Sequence, residues 1–272
     1  MTARPGPAPD PRTLVALAGD VAQRAGALLV EGAGRPRAAV ATKSTATDMV
    51  SEMDRASEHL IATALAAARP DDGILGEEGS ARPGTSGVRW VVDPLDGTTN
   101  YLYGHPGWAV SIAAETQEGV VAGVVFDPVH GDLFSATLRG GAERNGVPVA
   151  CSAQDDLGLA LVATGFGYEP TRRRAQAGVV AGLIGDVRDI RRMGAAAVDL
   201  CSVACGRVDA YFERGLAWWD LAAGSLIAAE AGAVVTSLRS DSTTAGSVLV
   251  AAPGIVTPLR DLLYALGAGD VP

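Results

Sequence analysis

The chain has 272 residues, 48% of them apolar, so it can bury a large core without disulfides or structural metals. Its 22 basic and 31 acidic side chains give a net charge of −9, the wrong sign for a broad nucleic-acid-binding face. The chain has three cysteines, a small and odd number that does not suit a disulfide framework. This favours a reducing, cytoplasmic location.

The first half of the chain predicts two helices followed by short strands. Residues 1–12 are rich in proline and alanine and are predicted to form a disordered tail. Apolar residues at three- and four-residue spacing predict helices over 14–30 and 51–68, and Asp20 and Arg24 in the first argue against a signal segment. Asp220 and Glu230 argue against a membrane span over the apolar stretch 215–235. Turn residues separate β-type runs that predict an antiparallel meander at 73–76, 88–93, 108–114, 120–127 and 132–138.

Past about Ala150, strands and helices alternate, a pattern typical of an α/β unit. The predicted strands cover residues 159–164, 187–192, 208–213, 233–238 and 247–252. The predicted helices cover residues 172–185, 195–205, 221–231 and 255–266. We therefore expect an α/β protein of two tightly packed lobes, an α+β lobe at 13–150 and an α/β lobe at 151–268, with the active cleft between them.

The main candidate for chemistry is a β-type run that ends in two carboxylates, Asp93 and Asp96, followed by a Gly-Thr-Thr turn. Two carboxylates at close range cannot both stay ionised without a cation, which points to the oxygen-preferring ion Mg²⁺. If Gly97 and Thr98 open a helix, their amides can donate to phosphate oxygens. The alternative is an ordinary Asp-Pro turn followed by an Asp-Gly turn.

Two further acidic positions stand at ends of predicted elements. Glu77 and Glu78 follow a short β-run, where adjacent glutamates are also typical of a solvated loop. Asp220 opens a long apolar helix, where an aspartate is also typical of a helix N-cap.

In sequence and order, three segments resemble the signatures of the inositol monophosphatase family. They are Gly-Glu-Glu at 76–78, Asp-Pro-Leu-Asp-Gly-Thr-Thr-Asn-Tyr at 93–101, and Trp-Asp-Leu-Ala-Ala-Gly at 219–224. The resemblance extends over about residues 14–266 and includes 43–48, Asp54, 194–197 and 211–213. It implies a layered αβαβα sandwich of the sugar-phosphatase type and a Mg²⁺-dependent, lithium-sensitive phosphomonoesterase, usually a homodimer. The net charge and the charged residues inside the apolar stretches predict no membrane partner and, by default, no nucleic-acid partner.

The resemblance also implies a metal site. By motif match, Glu77, Asp93 and the Leu95 carbonyl would hold a first Mg²⁺, and Asp93, Asp96 and Asp220 a second. Glu77 would also reach a third, weaker ion. One ion would activate the attacking water and the other would stabilise the departing alkoxide.

The catalytic residues implied by the resemblance are Glu77, Thr98 and Asp54, and Thr98 paired with Asp54 would orient the attacking water. The residues implied to contact the substrate are Lys43, Asp96, Gly97, Thr98, Gly194, Ala195, Ala196, Glu213 and Asp220. Lys43 is the single lysine of the chain. The alternative to a role in the site is that Lys43 is a solvated surface residue. Glu213 would bind substrate hydroxyls, and a salt bridge is its alternative.

Inositol 1-phosphate is the substrate that the resemblance favours. Histidinol phosphate, fructose 1,6-bisphosphate and a nucleotide 3′-phosphate stay as alternatives, although Thr99 stands where histidinol-phosphate enzymes commonly have lysine. An aspartyl-phosphate mechanism is disfavoured because Asp93 and Asp96 are three residues apart and no lysine follows them. A partner-binding role in transcription or RNA processing also stays open.

Overall fold

The computed structural model describes residues 10–33, 40–42, 49–238 and 246–270. Within them the helices are α1 (Pro11–Ala33), α2 (Glu52–Ala68), α3 (Thr98–Tyr103), α4 (Pro170–Leu183), α5 (Ala196–Ala204), α6 (Trp218–Glu230) and α7 (Val256–Ala265). The strands are β1 (Val40–Thr42), β2 (Met49–Ser51), β3 (Gly73–Gly76), β4 (Ala81–Arg82), β5 (Arg89–Asp96), β6 (Ala109–Thr116), β7 (Gly119–Asp127), β8 (Asp132–Thr137), β9 (Gly141–Arg144), β10 (Val147–Pro148), β11 (Leu161–Thr164), β12 (Asp189–Arg191), β13 (Ala210–Arg214), β14 (Val234–Thr236) and β15 (Ser247–Ala251).

Two large sheets organise the fold. The first has eight strands in the order β10-β9-β8-β7-β6-β5-β3-β4, and the second has five in the order β12-β11-β13-β15-β14. Every strand of the first sheet comes from residues 73–148 and every strand of the second from residues 161–251. β1 and β2 pair separately as a short antiparallel ribbon.

The predicted meander is confirmed for β5 to β8, and β9 and β10, for which no strands were predicted, extend it as successive antiparallel neighbours. It is wrong for β3, which pairs with β5 in parallel from Gly73↔Arg89 to Gly76↔Val92. β4 folds back on β3 at the sheet edge, so the chain re-enters β5 in the direction of β3. The parallel pairing places the carboxyl ends of β3 and β5, and the acidic residues that follow or end them, at one edge.

Helices cover both sheets, and the fold is the predicted αβαβα sandwich. α1 and α2 cover one face of the large sheet, α5 and α6 fill the space between the sheets, and α4 and α7 cover the outer face of the small sheet. β5 shows the period of two that this arrangement requires. Trp90 and Val92 are buried against the α1–α2 layer, and Val91 is buried on the α5–α6 side.

The predicted tail is too long by two residues, because α1 begins at Pro11. The Asp10 carboxylate accepts the N–H of Arg12 at 3.0 Å, and Pro11 occupies the first helical position, two signals that favour a helix start. α1 is the one described helix that is long and apolar enough to cross a membrane by length and composition. It packs against α2 and the large sheet, and a core helix passes the same test.

Candidate active site

A bulge near the end of β5 brings Asp93 and Asp96 to one side of the sheet. Side chains three residues apart in a regular strand point to opposite faces. Here Asp93 pairs with Ser111 while Asp96 pairs with Ala109, so β5 carries one extra residue between the two carboxylates. Pro94, which has no N–H to give to the ladder, lies in this bulge. Because of the extra residue, the side chains of Asp93 and Asp96 point to the same face of the sheet, and the two carboxylates converge.

Asp220 brings a third carboxylate to the same place from α6. One oxygen each of Asp93, Asp96 and Asp220 lies within 4.8 Å of the other two. Asp220 is the third residue of α6, and its Oδ2 accepts the N–H of Ala217 at 2.6 Å. The N-cap alternative is therefore wrong, because the N-cap is Ala217 and Asp220 bonds back to it from the third helical position. The same side chain joins the carboxylate cluster.

The cluster has the chemistry of a cation site. Burial and repulsion by Glu77, Asp96 and Asp220 raise the pKa of Asp93 well above its usual value. Burial is also the main cause that raises the pKa of Asp96 to about 7 and the pKa of Asp220 to about 8. Carboxylate oxygens are the ligands that hard divalent cations prefer, and a cation held among them would relieve this repulsion. The donor set therefore fits a hard, oxygen-preferring ion.

The loop that carries Glu77 is held by Glu58, a buried residue of α2. Glu58 Oε2 accepts the N–H of Glu78 at 2.7 Å, and Oε1 accepts the N–H of Ser80 at 2.8 Å. A side chain at Gly76 would overlap the Glu58 carboxylate, so glycine at this position leaves room for Glu58 to reach the loop. Glu77 lies outside the group of three aspartates, although its charge raises the pKa of each of them.

The same face of α2 reaches the end of β5. The Ser57 hydroxyl donates to the Pro94 carbonyl at 2.9 Å, which supports the bulge. The Thr98 hydroxyl lies 3.3 Å from Asp54 Oδ2 and 3.1 Å from the Leu95 carbonyl, so the structure brings these three predicted residues together. Asp54 and Ser57 are one helical turn apart, which is why both face the site.

α3 begins directly after β5, as the phosphate-binding prediction requires. Its N-cap is Gly97, whose backbone has φ 87° in the left-handed region that favours glycine. A Cβ there would also lie 2.8 Å from the Gly107 carbonyl and 3.1 Å from the Ala195 side chain. The helix has six residues from Thr98, and its first N–H groups have no partner within the helix.

The start of α5 closes on Asp96 from the other lobe. The Ala197 N–H donates to Asp96 Oδ2 at 2.6 Å, and the Ala196 N–H also bonds to this carboxylate. The Gly194 N–H bonds to Asp199, a buried residue in the first turn of α5. Two of the amides that were predicted to border the substrate are therefore engaged by carboxylates.

Glu213 lies at the end of β13 on the same side of the molecule. The Tyr211 hydroxyl donates to Glu213 Oε2 at 2.7 Å. Burial raises the pKa of Glu213 to about 7, and Tyr211 and Arg192 oppose this rise. A side chain at Gly165 would overlap the Glu213 carboxylate. No ion pair of Glu213 is found within the described ranges, although the charge of Arg192 acts on its carboxylate.

Several residues that hold the site were given no role from the sequence. Asn100 Nδ2 donates to the carbonyls of Gly107 and Met193, each at 2.7 Å, and so ties α3 to the loop before α5. No sequence pattern around Asn100 predicts a hydrogen bond to a residue 93 positions away. The sequence could have indicated a role for Glu58, because it lies four residues after Asp54 on the same face of the predicted helix. The predicted substrate contact Lys43 lies outside the described residues, with the rest of 43–48.

The five layers, with buried carboxylates gathered where β3 and β5 end, define an α/β protein with a candidate cation site between its sheets. The chain belongs to the inositol monophosphatase family, whose model matches residues 10–266. The resemblance drawn from the three motifs is thereby confirmed.

Relatives and solved structures agree with this membership. The chain is 48% identical over 232 residues to inositol-1-monophosphatase of Mycobacterium leprae, which covers 81% of this chain and 80% of that protein. It is 41% identical over 239 residues to a protein of Pasteurella multocida named Nus factor SuhB, covering 86% and 90%. The crystal structure of extragenic suppressor protein suhB from Bartonella henselae matches with a TM-score of 0.86 at 36% identity, covering 92% of this chain and 98% of that one.

Proposed function

We propose that the protein is a Mg²⁺-dependent phosphomonoesterase that converts inositol 1-phosphate to inositol and phosphate. The observation that carries this proposal is the convergence of Asp93, Asp96 and Asp220 beside the start of α3. Such an arrangement can hold divalent cations and a phosphate group side by side. Family membership supports a phosphorylated substrate and phosphatase chemistry.

In this proposal two Mg²⁺ ions bind, with a third, weaker ion near Glu77. Glu77, Asp93 and the Leu95 carbonyl hold the first, and Asp93, Asp96 and Asp220 hold the second. Asp93 is proposed to contact both ions. Its position supports this role, because the charges of Glu77, Asp96, Asp220 and Asp54 all act on it. Bound there, the ions would supply a lowered pKa for a water molecule and a positive charge for the oxygen of the leaving group.

The protein's own groups position the reactants. Thr98, with Asp54 as its hydrogen-bond partner, orients the attacking water, and the N–H groups of Gly97 and Thr98 receive the phosphate oxygens. The water oxygen bonds to phosphorus as the bond from phosphorus to the polyol oxygen breaks in line with it. The water gives up a proton, and the polyol takes one up and leaves as an alcohol.

The polyol itself is proposed to lie between Glu213 and the start of α5. Glu213, held by Tyr211, accepts hydrogen bonds from substrate hydroxyls. The backbone of Gly194, Ala195 and Ala196 borders the ring, and Lys43 is proposed as a further substrate-binding residue. Asp96 and Asp220 face both the ions and the substrate.

Asp93→Asn tests the proposal. The exchange keeps the size of the side chain and removes the charge shared by both ions, so we expect turnover of inositol 1-phosphate to fall at least about 100-fold. The control is Asp186→Asn, at an exposed position beyond α4, which should leave turnover unchanged. Circular dichroism would show that both variants are folded, and an Asp93→Asn protein with unchanged turnover would refute the metal assignment.

The substrate is tested by phosphate release from inositol 1-phosphate, histidinol phosphate, fructose 1,6-bisphosphate and a nucleoside 3′,5′-bisphosphate. Each is assayed with Mg²⁺, with EDTA and with added Li⁺, which we expect to inhibit. Preference for another ester would keep the mechanism and change the substrate. We also propose a cytoplasmic homodimer, as the resemblance implies, and light scattering of the purified protein measures its oligomeric state.

A partner-binding role in transcription or RNA processing is the second candidate, favoured by the relative named Nus factor SuhB. A protein kept only for binding has no need of the acidic set, and this chain retains Glu77, Asp93, Asp96 and Asp220. The same panel separates the two functions. Absence of Mg²⁺-dependent turnover with all four esters would refute the phosphatase and favour the binding role.

A further inference from the structure

The backbone that leads into α5 is held on both sides by side chains. Before it, Asn100 Nδ2 donates to the Met193 carbonyl at 2.7 Å. After it, the Ala197 N–H donates to Asp96 Oδ2 at 2.6 Å. Between these two anchors lies Gly194, whose φ of 97° is in the left-handed region that favours glycine. The path of this backbone is therefore set by side chains that lie elsewhere in the chain.

Asp199 supplies a third anchor from the first turn of α5. Its carboxyl accepts the Gly194 N–H, and its own N–H donates to the Ala195 carbonyl at 3.0 Å. The residue is therefore bonded to both of the residues that precede the helix. Gly194 and Ala195 belong to the backbone that is proposed to border the polyol ring, so Asp199 supports that part of the proposed site.

The burial of Asp199 is unfavourable, which indicates that its carboxyl has a role. Asp199 is 1% exposed, and its Oδ1 atom has no hydrogen-bond partner among the described residues. Burial, together with the charges of Glu213 and Asp96, raises the pKa of Asp199 well above its usual value. A buried polar atom without a partner destabilises the folded state, so an apolar side chain would suit this helix better. Natural proteins keep such unfavourable groups mainly where function needs them.

We infer that Asp199 is a positioning residue for the polyol: its carboxyl oxygen holds the Gly194 N–H, and this bond fixes the backbone of Gly194 and Ala195 against the ring of the substrate. This deepens the proposed function and rests on it. The role needs a hydrogen-bond acceptor at this position and does not need a charge. Loss of the acceptor should leave the phosphate end unchanged, because the carboxylate cluster and the start of α3 are held by other contacts.

The test compares inositol 1-phosphate, whose ring would contact this backbone, with glycerol 2-phosphate, an acyclic ester. Initial rates with Mg²⁺ are measured for the wild type, Asp199→Ala, Asp199→Leu and Asp199→Asn. We expect Asp199→Ala and Asp199→Leu to raise KM for inositol 1-phosphate about 10-fold and to change kcat less than about 3-fold, because binding of the ring is weakened while the chemistry is kept. For glycerol 2-phosphate, kcat/KM should change less than about 3-fold.

The variants separate the acceptor from the space that the side chain fills. Leucine fills the space that alanine leaves empty, so the same KM effect in both variants assigns it to the lost acceptor and not to a cavity. Asp199→Asn should stay within about 3-fold of the wild type with both esters, because the amide oxygen accepts the same N–H. Rescue by asparagine is the result that a role in folding through charge would not give.

Asp209→Ala is the matched control. The Asp209 carboxylate also accepts a backbone N–H, that of Leu161 at 2.7 Å, and it accepts the Ser152 hydroxyl at 2.6 Å. Asp209 immediately precedes β13, whereas Glu213 lies near the other end of that strand. Asp209→Ala should therefore lower the melting temperature and leave the ratio of kcat/KM for the two esters unchanged.

Equal losses with both esters in Asp199→Ala and Asp199→Leu would show a structural role and overturn the positioning role, as would no change with either ester. A loss in Asp199→Asn as large as that in Asp199→Ala would also overturn it, because the acceptor would then not be what matters. If circular dichroism shows that neither Asp199→Ala nor Asp199→Leu folds, Asp199 serves folding and the positioning role is refuted. Lack of turnover of inositol 1-phosphate by the wild type would instead refute the proposed function.

Discussion

Replacing Glu58 by glutamine tests whether α2 sets the position of Glu77. The carboxylate uses one oxygen for the N–H of Glu78 and the other for the N–H of Ser80, at 2.7 and 2.8 Å. Glutamine has nearly the same shape, but its NH₂ group cannot accept a hydrogen bond. One of the two backbone donors therefore loses its partner and faces another donor.

The expected magnitude follows from the burial of this contact. Glu58 is only 4% exposed, so water cannot easily replace the lost acceptor. Loss of a hydrogen bond to a charged group costs about 1.5–3 kcal/mol, and we expect the free energy of unfolding to fall by about 2 kcal/mol. Because the loop carries Glu77, the affinity for Mg²⁺ should also fall, by about 10-fold, the effect typical of residues that support metal ligands.

Two measurements check this expectation. Calorimetric titration with Mg²⁺ gives the affinity, and thermal unfolding with and without Mg²⁺ gives the stability and its gain on binding. Glu52→Gln is the matched control, because Glu52 is exposed on the same helix and should change neither quantity. A Glu58→Gln protein that loses stability yet binds Mg²⁺ as tightly as the wild type would refute the positioning role.

Two other predictions concern charge and backbone. The pKa values of Asp96 and Asp220, about 7 and about 8 in the folded protein, exceed their usual value of 3.8, so the folded state holds protons that the unfolded state has released. Metal-free protein should therefore lose stability as the pH rises from 5 to 8, and Mg²⁺ should restore the largest share of that stability at pH 8. Melting temperatures in EDTA and in Mg²⁺ measure both effects. A melting temperature of the metal-free protein that does not change with pH would contradict the reasoning. Gly97→Ala should destabilise by about 1–3 kcal/mol and reduce turnover, because it adds a contact with Gly107 to backbone strain. Gly119→Ala, with φ 99° and open space around it, should cost less, and chemical denaturation that ranks the two variants the other way would contradict this.

Local sequence patterns predicted the helices and strands well where the pattern of apolar residues reflects which side of the element is buried. The three- and four-residue spacing of α1 and the turn residues between β5 and β8 reflect contacts that each segment makes along its own length. The register and direction of pairing depend on distant partners. The parallel pairing of β3 with β5 and the bulge between Asp93 and Asp96 therefore had no local signal beyond Pro94.

The acidic motifs and their order determined, by resemblance, the family, the layered architecture and the identity of the candidate ligands. Only the tertiary structure decided which of them meet: Asp220 joins Asp93 and Asp96 within 4.8 Å, whereas Glu77 stays outside that group. It also decided that Glu58 and Asn100 hold the loops around the site. The physical reason is that a motif records which groups the chemistry needs, while distances between groups far apart in the chain depend on how the layers pack.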